Sequence, residues 1–401
     1  MNRIILDCKS LENGKEKVIE KLGFTVKVFH NKNDDICVNR ISIEHIDMNI
    51  ELLPSKGLTV NEAFFRGQPY FWEPPLDGLP NPDNFNPFEK MYIDGILTEG
   101  FSWLKQFTGG VEMLGLENWG MPETEEATGF SLPMHGTVSM IPVKSVNIDI
   151  TEDSAEISGT FEVRNTREIE KLPWYKNGEV IFEVTKRIII KPDSARIILK
   201  DTITNKSVEA RIANWGYHVQ MRAFEGAEYL IPSKKMKRIG ESTAANNHEI
   251  WYNSKGENVR VQVMNRHTVL KVIDELAGEK SGIRTLLKYP DGHAIMAVIP
   301  ACPWIASWMS SGGAGSREWC LVDASGKKGT SIMKKDYSGI GPEFGSKDLF
   351  GGEDEEIQYK QDVLEPMQST ETFIVFEMPE PAQAKIFEEE INYYIKDRKF
   401  G

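Results

Sequence analysis

Residues 41–52 alternate between apolar and polar positions: Ile41, Ile43 and His45, then Ile46, Met48, Ile50 and Leu52. A period of two predicts a half-buried strand, and the one-residue slip at 45–46 is what a bulge absorbs. The same alternation over 146–163 reads as two strands about a turn at Glu152-Asp153-Ser154. The clearest hairpin is 179–205. Ile181, Phe182, Val184, Ile188 and Ile190 lead into Lys191-Pro192-Asp193-Ser194, and Ile197, Leu199, Thr202 and Ile203 lead out. Proline fixes φ, and the aspartate side chain bonds nearby backbone N–H groups, so both favour a turn. Further strands are expected at 258–264, 269–273, 283–288, 293–299, 318–323 and 371–377. Short strands so closely spaced predict antiparallel sheets packed face to face, an all-β fold.

Helical periodicity is scarce. Residues 8–22 have room for a short helix. Residues 381–396 are the better case, with Ile386, Phe387, Ile391, Tyr394 and Ile395 near one face and glutamates on the other. The glycine- and acid-rich stretch 338–356 reads as a long loop. The pattern divides the chain into an N-terminal strand/helix extension over 1–40 packed on the sandwich, a β-sandwich domain over 41–380, and a C-terminal helix over 381–401.

Composition narrows the partners. The 401-residue chain carries a net charge of −13, whereas a nucleic acid or an anionic membrane would require a basic face. A neutral small ligand is compatible with that charge. The four cysteines show no zinc-ligand spacing, and their sparse use fits a reducing cytoplasm; no cofactor is expected. No apolar run approaches membrane-spanning length, and the first residues lack the pattern of a signal peptide.

Two of the seven histidines stand out. His135 lies in Leu132-Pro133-Met134-His135-Gly136 and His218 in Asn214-Trp215-Gly216-Tyr217-His218, each close to a glycine and to an apolar run. Imidazole is the one unperturbed side chain that exchanges protons near neutral pH. Such a pair suits proton transfer on a ligand, and either alone suits a structural role. Trp72, Trp119, Trp215, Tyr217, Trp304 and Trp308 occupy turn-like or strand-end contexts. Their flat faces fit the C–H faces of sugar rings as well as they fit a core. In Thr108–Gly120, paired glycines permit close backbone approach, and Glu117-Asn118 offers polar groups for hydroxyl recognition. For a carboxylate partner, the candidates are Asp323 at the end of an apolar strand and Glu365 in Val363-Leu364-Glu365-Pro366.

Several of these motifs resemble a known family. Leu132-Pro133-Met134-His135-Gly136 followed by Ser139-Met140-Ile141-Pro142-Val143 is similar to the Leu-His-Gly segment of galactose mutarotase-like proteins, in particular the aldose 1-epimerase-like DUF4432 branch. Pro54-Ser55-Lys56-Gly57-Leu58, Thr108–Gly120, Asn214–His218 and Pro303-Trp304 to Trp308 follow in the order of that branch. The resemblance implies a β-supersandwich, a few short helices, a sugar pocket and no required metal. It implies that His218 protonates the ring oxygen, that His135 helps bind the sugar, and that a late carboxylate takes the proton from the anomeric hydroxyl. By position that carboxylate is Asp323, with Glu365 as the alternative. Arg66 is the candidate for the sugar-binding arginine. Trp72, Glu117, Asn118, Trp119, Asn214, Tyr217 and Trp308 complete the expected substrate contacts. Thr137 stands where the branch commonly has arginine.

The expected function is therefore a sugar-binding aldose 1-epimerase-like isomerase, cytoplasmic, and a monomer or homodimer. The alternatives are a sugar-binding protein without catalysis and a supersandwich polysaccharide lyase, for which Tyr217 beside His218 supplies a base. The scarcity of basic residues around the motifs argues against a phosphorylated substrate.

Overall fold

The computed structural model describes residues 3–7, 16–33, 36–72, 82–83, 85–93, 96–103, 109–126, 128–165, 173–222, 227–241, 267–272, 282–302, 304–311, 320–323, 328–331, 338–346, 363–396 and 399–400. Two large sheets dominate them. The nine-stranded sheet runs Arg3–Asp7, Ser145–Ile150, Ala155–Arg164, Val180–Lys191, Arg196–Asn205, Ser369–Glu377, Ala294–Ile299, Ile283–Lys288, Glu228–Leu230. The fourteen-stranded sheet places Thr59–Phe65, Val111–Gly115, Trp215–Val219, Ser338–Gly345 and Trp304–Ser311 side by side at its centre. Its pairings are antiparallel except that of Lys235–Glu241 with Lys399–Phe400.

Alternation explains which faces meet. In Ala155–Arg164 every second residue is buried, among them Ile157, Phe161 and Val163. Each such aliphatic or aromatic side chain contributes about 1.5–3 kcal/mol on leaving water. Between the sheets the Phe71 ring meets Phe376 edge-on at 5.0 Å. Tyr217 stacks on Phe344 at 5.2 Å and donates its hydroxyl to Asp201 of the opposite sheet. Asp201 also pairs with the buried Lys186 at 3.2 Å.

Several expected elements take another form. The slip at 45–46 is a tight turn rather than a bulge: Ile36–His45 and Met48–Leu53 form a hairpin pairing Ile43 with Ile50, and Ile46 is 94 % exposed at its tip. A chain reversal shifts the period just as a bulge does. Within 8–22 the described part, Glu16–Lys21, is a strand paired with Phe24–Asn33 through a turn in which Leu22 and Gly23 both have positive φ. Pairing along the sheet edge overrides a weak helical pattern. Phe24–Asn33 likewise continues the larger sheet. Ser338–Gly345, within the expected loop, is a central strand. The expected strand at 258–264 lies outside the described residues.

The helix Pro381–Tyr394 opens on proline, whose missing N–H costs nothing there. Ala384, Phe387, Ile391, Tyr394 and Ile395 pack on Leu230, Leu286, Ala294 and Met296, while Ile386 stays half exposed. The helix therefore covers one end of the nine-stranded sheet, and the buried stripe includes Ala384 in place of Ile386.

Candidate active site

The site forms on the face of the larger sheet turned away from its partner. Glu112, His218 and Glu343 occupy one row across three adjacent strands: Glu112 pairs with His218, and His218 with Glu343. Residues directly opposite in a sheet share a face, with Cβ atoms about 5 Å apart. Their chain neighbours Met113, Tyr217 and Phe344 point the other way, into the core.

His135 reaches this row from a loop. Its N–H donates to the Gly120 carbonyl at 2.8 Å, and its carbonyl accepts from the Gly115 N–H at 2.9 Å. Its φ is 60°, a left-handed conformation uncommon for a residue with a side chain. The next residue has no alternative to glycine. Gly136 has φ 68°, and a Cβ there would come within 2.5 Å of the Gly115 carbonyl oxygen. This tight pairing brings the His135 and His218 rings to 5.9 Å between centroids. The Trp103 ring lies 4.6 Å from His135 and 5.6 Å from His218, and Trp119 lies 5.9 Å from His135.

Trp119 lies flat on the sheet because the residues beneath it are glycines. A Cβ on Gly216 would sit 2.4 Å from its ring, and one on Gly345 would sit 2.8 Å away. Asn118 ties this loop to the His135 loop by donating to the Met121 and Pro133 carbonyls at 2.9 and 3.0 Å.

Charge at the site is arranged asymmetrically. Glu112 is fully buried. It accepts Lys56 Nζ on Oε1 at 2.6 Å and Trp103 Nε1 on Oε2 at 3.1 Å. Burial pulls the Lys56 ammonium below its usual pKa, and the adjacent Glu112 opposes that shift. Glu343 is 6 % exposed, and burial pushes its carboxyl up to about 8. A carboxyl with a pKa near neutrality, on one face with an imidazole, can give or take a proton under ordinary conditions. Among the described residues, no group of three or more histidine, cysteine, aspartate or glutamate side chains is arranged to hold a metal ion.

The structure brings together only part of the expected set. His135, His218 and Trp119 converge, and Asn118 supports them. Glu117 accepts from Thr137 Oγ1 at 3.5 Å, on the same pair of loops. Asn214 precedes the His218 strand, and its carbonyl accepts from Leu116 N–H at 2.8 Å. Tyr217 is fully buried between the sheets, where burial raises its pKa well above the usual phenol value. Trp72 is buried beside the sheet, donating Nε1 to the Gly109 carbonyl at 3.1 Å. Arg66 sits in a surface turn with φ 49°, 3.3 Å from both Asp47 and Glu380. Glu365 is exposed in a turn, its N–H on Gln368 Oε1 at 2.9 Å. Asp323 ends Cys320–Asp323, a strand of a separate four-stranded sheet, opposite Met91. Trp308 pairs with Gly341. The side chains of Asp323 and Trp308 lie outside the described part.

Lys56, Trp103, Glu112 and Glu343 are members of the site that sequence reasoning missed. Glu343 had a readable signal: Ile340 and Phe344 fall on one face, and Gly341, Glu343 and Gly345 on the other. The glycines masked it as a loop.

Comparison with known proteins gives the family. The model of a domain of unknown function, DUF4432, matches residues 36–275. The chain belongs to the DUF4432 family. No curated protein matches it. The DUF4432 chain resembles a candidate aldose 1-epimerase from Klebsiella pneumoniae subsp. pneumoniae MGH 78578 with a TM-score of 0.73 at 16 % identity, covering 100 % of this chain and 97 % of the other. The Slr1438 protein of Synechocystis sp. PCC 6803 follows at TM-score 0.51 and 14 % identity, covering 88 % and 99 %. Galactose 1-epimerase from Lactobacillus acidophilus NCFM gives TM-score 0.50 and 11 % identity, covering 91 % and 99 %. At such identities the likeness is one of fold: a mutarotase-like β-sandwich, as the sequence motifs imply. Among the described residues, no helix is long and apolar enough to cross a membrane.

Proposed function

We propose that this protein interconverts the anomers of a free sugar by acid/base ring opening. The observation that carries this reading is the pairing of His218 with Glu343 on one sheet face, with His135 5.9 Å from His218. Ring opening needs one group to take the anomeric hydroxyl proton and another to protonate the ring oxygen. Glu343 takes the first role as its carboxylate, and His218 gives the second proton. The C1–O5 bond breaks to an open-chain aldehyde, C1–C2 rotation turns the carbonyl, and the reverse transfers close the ring on the other face. His135, Trp103 and Trp119 surround the reacting ring with aromatic and polar surface.

In this reading the part expected of Asp323 or Glu365 passes to Glu343. Glu365 is exposed in a turn, and the Asp323 backbone belongs to another sheet. Glu112 shares the row but is held by Lys56 and Trp103. Tyr217 offers little support to a lyase, which would want a tyrosine with a lowered pKa facing the substrate. The site works in the cytoplasm on an unphosphorylated sugar, without a metal or cofactor.

The test is exchange NMR between α and β anomers across a panel of hexoses, pentoses and hexuronates. The wild type accelerates exchange for at least one sugar, and Glu343→Gln and His218→Ala each lower that rate by at least about 100-fold. No acceleration with any sugar refutes the reading. Sugar binding without acceleration would leave a binding protein.

A further inference from the structure

The residue behind His218 fixes which of its two nitrogens faces the site. Gln220 follows His218 by two positions and is completely buried. Its amide has three neighbours: the Gly110 carbonyl at 2.9 Å, the His218 carbonyl at 2.8 Å and His218 Nδ1 at 3.1 Å. The two carbonyls can only accept, so the amide NH2 must face them. That leaves the amide oxygen against Nδ1. An oxygen without a hydrogen can only accept, so Nδ1 must carry the proton.

We propose that Gln220 is a positioning residue that locks neutral His218 in the Nδ1–H tautomer, leaving Nε2 as the nitrogen that exchanges protons with substrate. The amide is itself held by main chain on both sides. Gly110 belongs to the loop entering Val111–Gly115, and the Gly110 carbonyl also accepts the Gln220 backbone N–H at 2.8 Å. The lock is therefore built from the sheet rather than from mobile side chains. Because glutamine is neutral, it orients the ring without trapping an imidazolium as a carboxylate would. The imidazolium can then release its proton to a ring oxygen.

The catalytic consequence rests on the function proposed above; the tautomer does not, and it can be measured without any sugar. In the full-length protein with 15N-labelled histidine, long-range 1H–15N spectra distinguish the protonated from the unprotonated ring nitrogen. The His218 signals are assigned by their loss in His218→Gln. The expected result above the His218 titration is a protonated Nδ1 and a bare Nε2 in the wild type. Gln220→Met, which keeps the volume and removes the oxygen, shifts His218 toward the Nε2–H form. A neutral wild-type His218 carrying its proton on Nε2 overturns the proposal. So does an Nδ1–H form that persists unchanged in Gln220→Met. Where anomer exchange is measurable, Gln220→Met lowers kcat by about 10-fold or more at nearly constant KM, a part of the ~100- to 10,000-fold that acid/base catalysis supplies as a whole. Gln220→Glu moves the imidazolium limb of the pH profile up by about one unit or more.

Discussion

Two buried carboxylates in one sheet row, Glu112 and Glu343, differ in their partners. Glu112 is paired with Lys56 and Trp103, whereas burial dominates Glu343 and pushes it up to about 8. The sign of the pH dependence follows. Between the ordinary carboxylate range and about 8 the folded protein binds a proton at Glu343 that the unfolded chain has lost, so stability falls as pH rises through that window. Glu343→Gln is expected to flatten this slope and to make the protein more stable than wild type above pH 8, by on the order of a few kcal/mol. Urea denaturation at pH 5 and pH 9 reads it, and an unchanged slope would contradict the assigned shift. Anomer exchange needs the ionised Glu343 carboxylate and the His218 imidazolium together, so its pH profile should be bell-shaped, with one limb near 8. At Lys56 the prediction is one of pairing. Lys56→Met leaves Glu112 buried without its counter-ion and costs about 3–5 kcal/mol, whereas Lys56→Met with Glu112→Leu recovers much of that loss. Equal losses in the single and double variants would show that packing, not charge, holds this corner.

At the scale of elements, amphipathic strands were legible and glycine-bearing ones were not. The hairpin Val180–Lys191 and Arg196–Asn205 shows itself because its core residues alternate with polar ones and its turn carries Pro192-Asp193. Ser338–Gly345 hides because three of the four residues on its outward face are glycine, and only the neighbouring elements explain why. Gly345 makes room for the Trp119 ring and Gly341 for the Val219 carbonyl. Gly216→Ala should therefore act through Trp119. Its added methyl meets the ring at 2.4 Å, and overpacking of this kind costs about 1–3 kcal/mol. Tryptophan fluorescence should shift as the ring lifts from the sheet, and anomer exchange should slow. A variant with wild-type fluorescence and stability would mean that the loop yields without cost.

At the scale of the whole molecule, the polar contacts that cross the core couple the site to the opposite sheet. Tyr217 shares its strand with His218, and its hydroxyl ends on Asp201, which also pairs with Lys186 at 3.2 Å. Asp201→Ala strands a buried lysine and is expected to cost about 3–5 kcal/mol. Because both sheets depend on that contact, far-UV circular dichroism and tryptophan fluorescence should report one shared, lowered midpoint. Separate midpoints would show that the two sheets unfold independently. The sequence by itself determined the all-β character, the C-terminal helix and the two glycine-flanked histidines, because local periodicity and turn chemistry are written in neighbouring residues. The ordered motifs also indicated the family. Only the tertiary structure decided which carboxylate stands with those histidines. Glu343 is 125 residues beyond His218 in the chain, yet it is His218's direct neighbour in the sheet. A carboxyl acquires its raised pKa from the groups that bury it, and those groups come from strands and loops that no local pattern can bring together.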